Sequence, residues 1–333
     1  MTSSHRITVM DESQVGAARR YVAETCAQLS TQEIFHGKAA IVVTEIARNV
    51  VRHGKGGEVI VRRICPPAPP GVELVALDHG PGLRNLTECL RDGFSTAGSM
   101  GTGLGAIKRL SDRFEVLSKP GQGTVAWIRL YTRDAGTVPR AFESVGISVA
   151  VAHEELCGDG WEVLETDGVL RAMVVDGLGH GLFAEQASRE AIAVFRSQAG
   201  TGVAPTLKLI DQALVKTRGA VGAIAELNPR KGHVAAAGIG NVSMRILQNG
   251  QSKSFGCDNG TLGAGVKRIT EFKHPWVDGS VLVMHSDGIK TRWSLDDYPG
   301  IARRHPGLIA GLLYRDFQRG GDDATVLVVR HQV

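Results

Sequence analysis

Met173-Val174-Val175-Asp176-Gly177-Leu178-Gly179-His180-Gly181 is the stretch whose reading decides the fold. The apolar run from Leu170 to Val175, broken by Arg171 and Ala172, reads as a strand that ends on Asp176. Gly177, Gly179 and Gly181 then open the backbone before a helical stretch that begins near Phe183. A carboxylate aimed from a strand end, followed by glycines that let a water or a carbonyl approach, suits a hard divalent cation. The arrangement recurs at Gly158-Asp159, at Val281-Leu282-Val283-Met284-His285-Ser286-Asp287-Gly288, and at Gly320-Gly321-Asp322-Asp323 ahead of the run Ala324 to Val329. Asp-Gly is also a common turn dipeptide, and any one of these could simply join two strands. Four acidic positions, each at the tip of an apolar β-type run, point instead to a carboxylate-built metal site.

Bulk properties bound the rest. A chain of 333 residues has room for two domains with proper cores. With 43% hydrophobic and 22% charged residues it reads as a soluble globular protein. The net charge of +4 and the 5% aromatic content argue against nucleic acid, as does the lack of a dense Lys/Arg block. Cys26, Cys65, Cys89, Cys157 and Cys257 are scattered without a C-x-x-C pair, which suggests reduced thiols and a cytoplasmic location. The polar start, Met1 to Asp11, offers no signal peptide, and no apolar run approaches a membrane span. The sequence leaves a homo-oligomer open.

In chain order, Ile7 to Met10 reads as a strand and Asp11 to Leu29 as a helix with Val15, Ala18, Val22 and Cys26 on one face. A second helix, about Thr31 to Arg52, is anchored by Ile41, Val42, Ile46 and Val50 and carries Glu45 and Asn49 at i and i+4 on one side. Strands at Glu58 to Ile64 and Val72 to Leu77 follow, the latter running into Asp78-His79-Gly80-Pro81-Gly82. Gly101-x-Gly103-x-Gly105 opens a helix and can cradle phosphates with its backbone N–H groups, although it is neither a Walker A loop nor a Rossmann turn. Phe114 to Ser118 and Thr124 to Tyr131 form a hairpin, and residues 132 to 142 read as a short linker. Beyond it come a strand from Val145 to His153, helices at about Ala184 to Ser197 and Pro205 to Lys216, and strands at Ala220 to Leu227, His233 to Ile239 and Ser243 to Leu247. Long β-runs interrupted by a pair of helices suggest two sheets flanked by helices.

Glu45-x-x-x-Asn49, Asp78-x-Gly80-x-Gly82 and the Gly101 to Gly105 loop, in this order, resemble the three ATP-binding boxes of the GHKL ATPase and kinase family. Arg48-Asn49, His53 to Glu58 and Asp92-Gly93-Phe94-Ser95-Thr96 look closer still to the RsbT-type serine kinases of the stressosome. The resemblance covers about residues 5 to 131. It implies that Asn49 holds the Mg²⁺ of a bound ATP and Glu45 is the general base toward a substrate hydroxyl. It also implies that Asp78 bonds the adenine amino group in a pocket shaped by Gly80 and Gly82, and that Gly101, Gly103 and Gly105 wrap the phosphates. Phosphoryl transfer needs that set: a positioned nucleophile, a neutralising metal and donors around the phosphates.

Gly158-Asp159, Asp176-Gly-x-Gly-His180-Gly, Ala237-Gly238-Ile239-Gly240-Asn241, Ser286-Asp287-Gly288-Ile289 and Asp322-Asp323-Ala324-Thr325 resemble the protein phosphatase type 2C superfamily, most of all its SpoIIE/RsbX branch. This likeness covers about residues 143 to 331. It implies that Asp159, Asp176, Asp287 and Asp322, with the Gly177 carbonyl, hold two Mn²⁺ or Mg²⁺ ions that activate water against a phosphoserine. Asp322 is preferred to Asp323 because the family's ligand lies three residues before the Thr. His180 is a candidate supporting group or leaving-group acid. Glu155-Leu156-Cys157 stands where many members carry glycine.

The expectation is therefore an α/β (α+β) protein. Residues 1–132 would form a GHKL (Bergerat) α/β sandwich, 133–142 a linker, and 143–333 a type 2C-like αββα sandwich. The implied function is a bifunctional partner-switching regulator, serine kinase and opposing phosphatase, acting on STAS-domain or stressosome-type proteins. Two other readings remain: a phosphatase whose amino-terminal half binds ATP only as a sensor or docking switch, and an inactive scaffold.

Overall fold

The computed structural model describes residues 4–65, 69–90, 103–133 and 141–332. The chain divides into two compact units, Thr2–Val138 and Pro139–Val333.

The first unit begins with β1 (His5–Val9), α1 (Glu12–Leu29) and α2 (Glu33–Arg52). Asp11 starts α1 from an extended backbone: its Oδ1 accepts the amides of Ser13 at 2.8 Å and Gln14 at 3.3 Å, and the Gln14 side chain accepts the Asp11 amide in return. This reciprocal cap satisfies amides that no helical carbonyl reaches. Val15, Ala18, Val22 and Cys26 are buried along one stripe, as their spacing predicts. On α2, Val42, Val43, Ile46 and Val50 are buried, but Ile41 is exposed. Ile41 lies one position before Val42 and so turns away from the stripe on which Val42, Ile46 and Val50 recur at four-residue steps.

Next come β2 (Gly57–Ile64), β3 (Gly71–Asp78), the short turns α3 (Leu86–Cys89) and α4 (Leu104–Leu110), then β4 (Arg113–Ser118) and β5 (Thr124–Tyr131). The five strands form one antiparallel sheet in the order β1-β2-β3-β5-β4, with β3 between β2 and β5. Val59, Val61, Val72, Leu74, Ala126 and Ile128 meet α1 and α2 in a common core. Asp78 thus sits at the tip of an interior strand beside the inner face of α2.

The second unit comprises β6 (Phe142–Val149), β7 (Asp159–Thr166), β8 (Val169–Gly177), α5 (Leu182–Ser197), α6 (Val203–Ala213), β9 (Ala220–Asn228), β10 (His233–Ile239), β11 (Ser243–Gln248), β12 (Gln251–Ser254), β13 (Phe272–Pro275), β14 (Val281–His285), α7 (Pro306–Phe317) and β15 (Ala324–His331). Two antiparallel sheets result, ordered β13-β10-β9-β8-β7 and β12-β11-β14-β15-β6. One core joins the sheets through Leu170, Ala172, Val174, Leu282 and Leu327. A second packs Met173, Val175 and Ile224 under Ile192 and Phe195 of α5 and Leu207 and Ile210 of α6. α7 lies against β15 and β6, so the layers run α-β-β-α.

The apolar run before Asp176 lacks polar alternation because β8 is covered on both faces, by the other sheet and by helices. The first strand of this unit is Phe142–Val149, not Val145 to His153. Phe142 is buried in the inter-sheet core, one residue inside the stretch read as linker, and the chain leaves the sheet before Val151.

The two sheets approach closely where Gly146 of β6 lies on the Trp161 indole of β7; a Cβ at residue 146 would fall inside the ring system. We predict that Gly146→Ala costs about 1–3 kcal/mol through overpacking, read as a lower urea midpoint at unchanged slope. An unaltered midpoint would show that the sheets separate at little cost.

Candidate functional site

In the second unit the carboxylates are brought together by strand register. Asp159 opens β7 and Asp176 is the next-to-last residue of β8, and the two are direct cross-strand partners. Asp287 follows β14 by two residues and Asp322 precedes β15 by two. Like charges placed opposite one another across a ladder repel. Among the described residues no cation stands within ion-pair reach of Asp159 or Asp176.

The protonation of these groups reflects that. Burial, followed by the charges of Asp159, Asp287, Asp322 and Asp323, holds the Asp176 carboxyl well above its ordinary range. Asp159 is raised chiefly by its own burial, against a hydrogen bond from Ser286. Asp287 is raised by burial and by Asp322. Glu73 in the first unit is the contrast: burial would push it up, but Arg62 and Arg129 on its two oxygens, each at 2.6 Å, bring it down to about 2. The fold neutralises one buried carboxylate with guanidinium groups and leaves the Asp159–Asp176 pair without any. That donor set, hard oxygens with no internal counter-charge, fits divalent cations.

Close backbone approaches shape the site. A Cβ on Gly177 would collide with the Ala184 carbonyl of α5, and one on Gly158 would lie 2.6 Å from the Ala184 Cβ. Ser188 of α5 donates to the Gly158 carbonyl, which also accepts the Gly177 amide at 3.1 Å. The glycines therefore let a helix start directly against the strand ends that carry Asp159 and Asp176.

Ser286, Asn241, Asp323 and Thr325 belong to the quoted motifs without an assigned role, and Ser148 belongs to none of them. Ser286 Oγ donates to Asp159 Oδ2 at 2.6 Å and accepts the Thr325 amide at 3.0 Å. Ser148 and Thr325 share a hydroxyl–hydroxyl bond of 2.6 Å. Asn241 Nδ2 donates to Asp287 Oδ2 at 2.8 Å. Asp323 accepts the Val151 amide at 2.7 Å and the Gly158 amide at 2.6 Å, so it anchors both ends of the β6–β7 connection. Asp322 is exposed, and its Oδ1 accepts the Asp323 amide at 2.8 Å. His180 is half-exposed and its Nδ1 lies 2.7 Å from Glu154 Oε1.

The first unit holds a cavity of about 360 Å³ lined by Glu45, Asn49, Asp78, Gly82, Leu83, Gly103, Leu104 and Thr124 among others. Asp78 is buried, and its Oδ1 accepts the amides of Gly80 at 2.9 Å and Thr124 at 3.1 Å. A Cβ on Gly80 would stand 2.6 Å from Gly54 Cα, and Gly82 has φ +68°. Gly54, within the His53 to Glu58 stretch, thus completes a backbone crossing with Gly80. Asn49 Nδ2 is buried without a partner among the described residues, a donor in a cavity wall that a polar ligand would satisfy. Glu45 faces Arg48 at 3.6 Å, and Arg48 also approaches Glu12 at 3.6 Å. Gly103 precedes α4 and Gly105 is buried within it. Gly101 and the Asp92 to Thr96 segment lie outside the described residues. The cavity, the buried Asp78 and the orphaned amide fit a nucleotide with its metal.

Comparison with known proteins accords with this architecture. A histidine kinase-like ATPase domain profile matches residues 8–130, and the stage II sporulation protein E (SpoIIE) profile matches residues 166–332. The chain belongs to the SpoIIE family. It is 29% identical over 133 residues to the serine/threonine-protein kinase RsbT of Bacillus subtilis (strain 168), spanning 39% of this chain and all of that protein. Against the phosphoserine phosphatase RsbX of the same organism it is 26% identical over 138 residues, 41% of this chain and 69% of that one. A solved structure described as "The bacterial stressosome: a modular system that has been adapted to control secondary messenger signaling" is 30% identical, with a TM-score of 0.53, over 57% of this chain and all of that chain. The SpoIIE-family chain therefore joins an RsbT-like, GHKL kinase-type domain to an RsbX/SpoIIE-type phosphatase domain of type 2C fold, the domain pair of a partner-switching regulator. No helix among its described residues is long and apolar enough to cross a membrane.

The raised carboxyls carry a pH signature. In metal-free protein they keep protons that the unfolded chain releases near pH 4, so the native state binds more protons above that pH. Their contribution is complete below about pH 4 and is lost as pH rises through neutrality toward the raised values. His285, pushed down to about 4 by burial, gives the opposite slope below its unfolded value of about 6.5. The test window is therefore about pH 7 to 8, under a chelator. There we predict a falling unfolding midpoint that Asp176→Asn flattens and Mn²⁺ reverses; a midpoint that climbs with pH in the chelated wild type contradicts the electrostatic account.

Proposed function

We propose that this protein is a bifunctional partner-switching regulator, an ATP-dependent serine kinase and a metal-dependent phosphoserine/threonine phosphatase acting on STAS-domain proteins of the stressosome or anti-sigma-antagonist kind. Residues 1–132 are the kinase half, 133–142 the connection and 143–333 the phosphatase half. The observation that carries the reading is the cross-strand Asp159–Asp176 pair, Asp159 buried and Asp176 half-buried, with no cation in ion-pair reach among the described residues. The likeness to a serine/threonine-protein kinase, to a phosphoserine phosphatase and to a stressosome structure supports the choice of substrate class.

In the phosphatase half, Asp159, Asp176, Asp287, Asp322 and the Gly177 carbonyl hold two Mn²⁺ or Mg²⁺ ions. Bound there, the ions supply Lewis acidity to a phosphoryl group and an activated water. Ser286 fixes one Asp159 oxygen and Asn241 one Asp287 oxygen, so each carboxylate presents a defined remaining edge. Asp323 holds the β6–β7 connection in place.

In the kinase half, Asp78 recognises the adenine amino group, with Gly80 and Gly82 closing the backbone around the base. Asn49 holds the Mg²⁺ that accompanies ATP, and Gly101, Gly103 and Gly105 enclose the phosphates. Glu45 takes the proton from the substrate serine hydroxyl as the phosphoryl group is transferred. The nearness of Arg48 to Glu45 supports a second reading, in which an occupied carboxylate makes the ATP site a sensor or docking switch.

The test is to incubate the purified protein with ATP, Mg²⁺ and a STAS-domain protein, alongside its Asp176→Asn variant. We expect phosphate to accumulate on the partner with the variant and to turn over with the wild type. Equal dephosphorylation by both sinks the metal assignment. Asn49→Ala should lower transfer at least about 100-fold; ATP binding without transfer in the wild type would favour the sensor reading.

A further inference from the structure

A second group of metal-ligand side chains lies outside the carboxylate cluster. His153 and Glu154 ride on the β6–β7 connection and His180 on the β8–α5 connection; one donor atom from each lies within 4.8 Å of the other two. His180 Nδ1 is 2.7 Å from Glu154 Oε1, and the rings of His153 and His180 meet edge-to-face with centroids 5.2 Å apart.

Both connections are held from behind. Asp323 accepts the amides of Val151 and Gly158, bracketing the His153–Glu154 segment, and the Glu154 amide closes a turn on the Val151 carbonyl at 3.0 Å. On the other side Gly181 has φ +74°, and a Cβ there would lie 2.8 Å from Glu154 Oε2. Only glycine lets this carboxylate come against the β8–α5 turn. An ion pair of His180 with Glu154 would account for two of the residues. It does not account for His153, an exposed side chain brought edge-on to the pair without entering any core.

The chemistry differs from that of the aspartates. Two imidazoles and one carboxylate are the ligand set of borderline-soft ions, whereas an all-oxygen cluster suits Mg²⁺ or Mn²⁺. Three ligands bound at about 2.0–2.2 Å in tetrahedral geometry stand roughly 3.4 Å apart. Exposed side chains close the remaining distance by rotating about their own bonds, and the open fourth position is left to water.

We propose that His153, Glu154 and His180 form a separate site for a divalent transition-metal ion of the zinc class, which clamps the β6–β7 connection to the β8–α5 turn. It is independent of the phosphatase reading, since none of the three is a ligand of the carboxylate cluster.

The test uses the untagged full chain carrying Asp176→Asn and Asp287→Asn, which disables the carboxylate cluster. Co²⁺ binding is followed by its ligand-field absorption, and Zn²⁺ affinity by displacement. We expect one Zn²⁺ bound, with Co²⁺ bands of a low-coordinate nitrogen and oxygen site. His153→Ala and, separately, the isosteric Glu154→Gln should each weaken Zn²⁺ at least about tenfold with unchanged circular dichroism. Zn²⁺ affinity equal in all three proteins, or no Zn²⁺ bound at all, overturns the proposal. Failure of the carboxylate reading would register separately, as Mn²⁺ stoichiometry unaffected by Asp176→Asn and Asp287→Asn.

Discussion

Two carboxylates facing each other across an antiparallel ladder, Asp159 buried and Asp176 half-buried, with no cation beside them among the described residues, are the constraint on which the phosphatase-type unit depends. Asp159 and Asp176 are pushed together by the register of β7 and β8, and that register is held by Leu170, Ala172 and Val174 on one face and Met173 and Val175 on the other. A slip of one residue would exchange those two faces and separate the pair. The hydrophobic cores thus supply the work needed to hold like charges together. An external cation is the natural partner for charges so placed, because Glu73 shows the same chain able to neutralise a buried carboxylate internally.

The first unit solves a different problem, that of leaving a cavity open beside a packed helix. The apolar stripe of α2 faces the sheet, and Glu45 and Asn49 sit at its margin where the cavity begins. The crossing of Gly54 and Gly80 brings the end of α2 against the tip of β3. Among the described residues the buried Asn49 amide has no partner there, and a buried donor left unpaired is costly.

Much of this was readable from local spacing. The strand ahead of Asp176, the apolar stripe of α1 and the layers flanked by helices all follow from patterns a few residues long. The Glu45–Asn49 pair and the Asp78-x-Gly80-x-Gly82 box are short local patterns of the same kind. What escaped was non-local. Asp323 and the Val151 amide stand 172 positions apart, Ser286 and Asp159 stand 127 apart, and no window along the chain joins them. The boundary near Phe142 shifted because inter-sheet packing, rather than propensity, decides where β6 starts. The exposure of Ile41 shows the same limit, since hydrophobicity alone does not say which of two neighbouring helix positions faces the core.

Asp322 and Asp323 are chemically identical neighbours, yet one carboxylate is exposed beside the metal-type cluster and the other is buried on two backbone amides. Adjacent residues entering a strand project to opposite sides, so their division of labour is written in parity rather than in side-chain type. Loss or gain of a single residue between Gly320 and Thr325 would invert that parity. The loop anchor and the cluster would then fail in one step, making this junction a place where chain length is far less negotiable than composition.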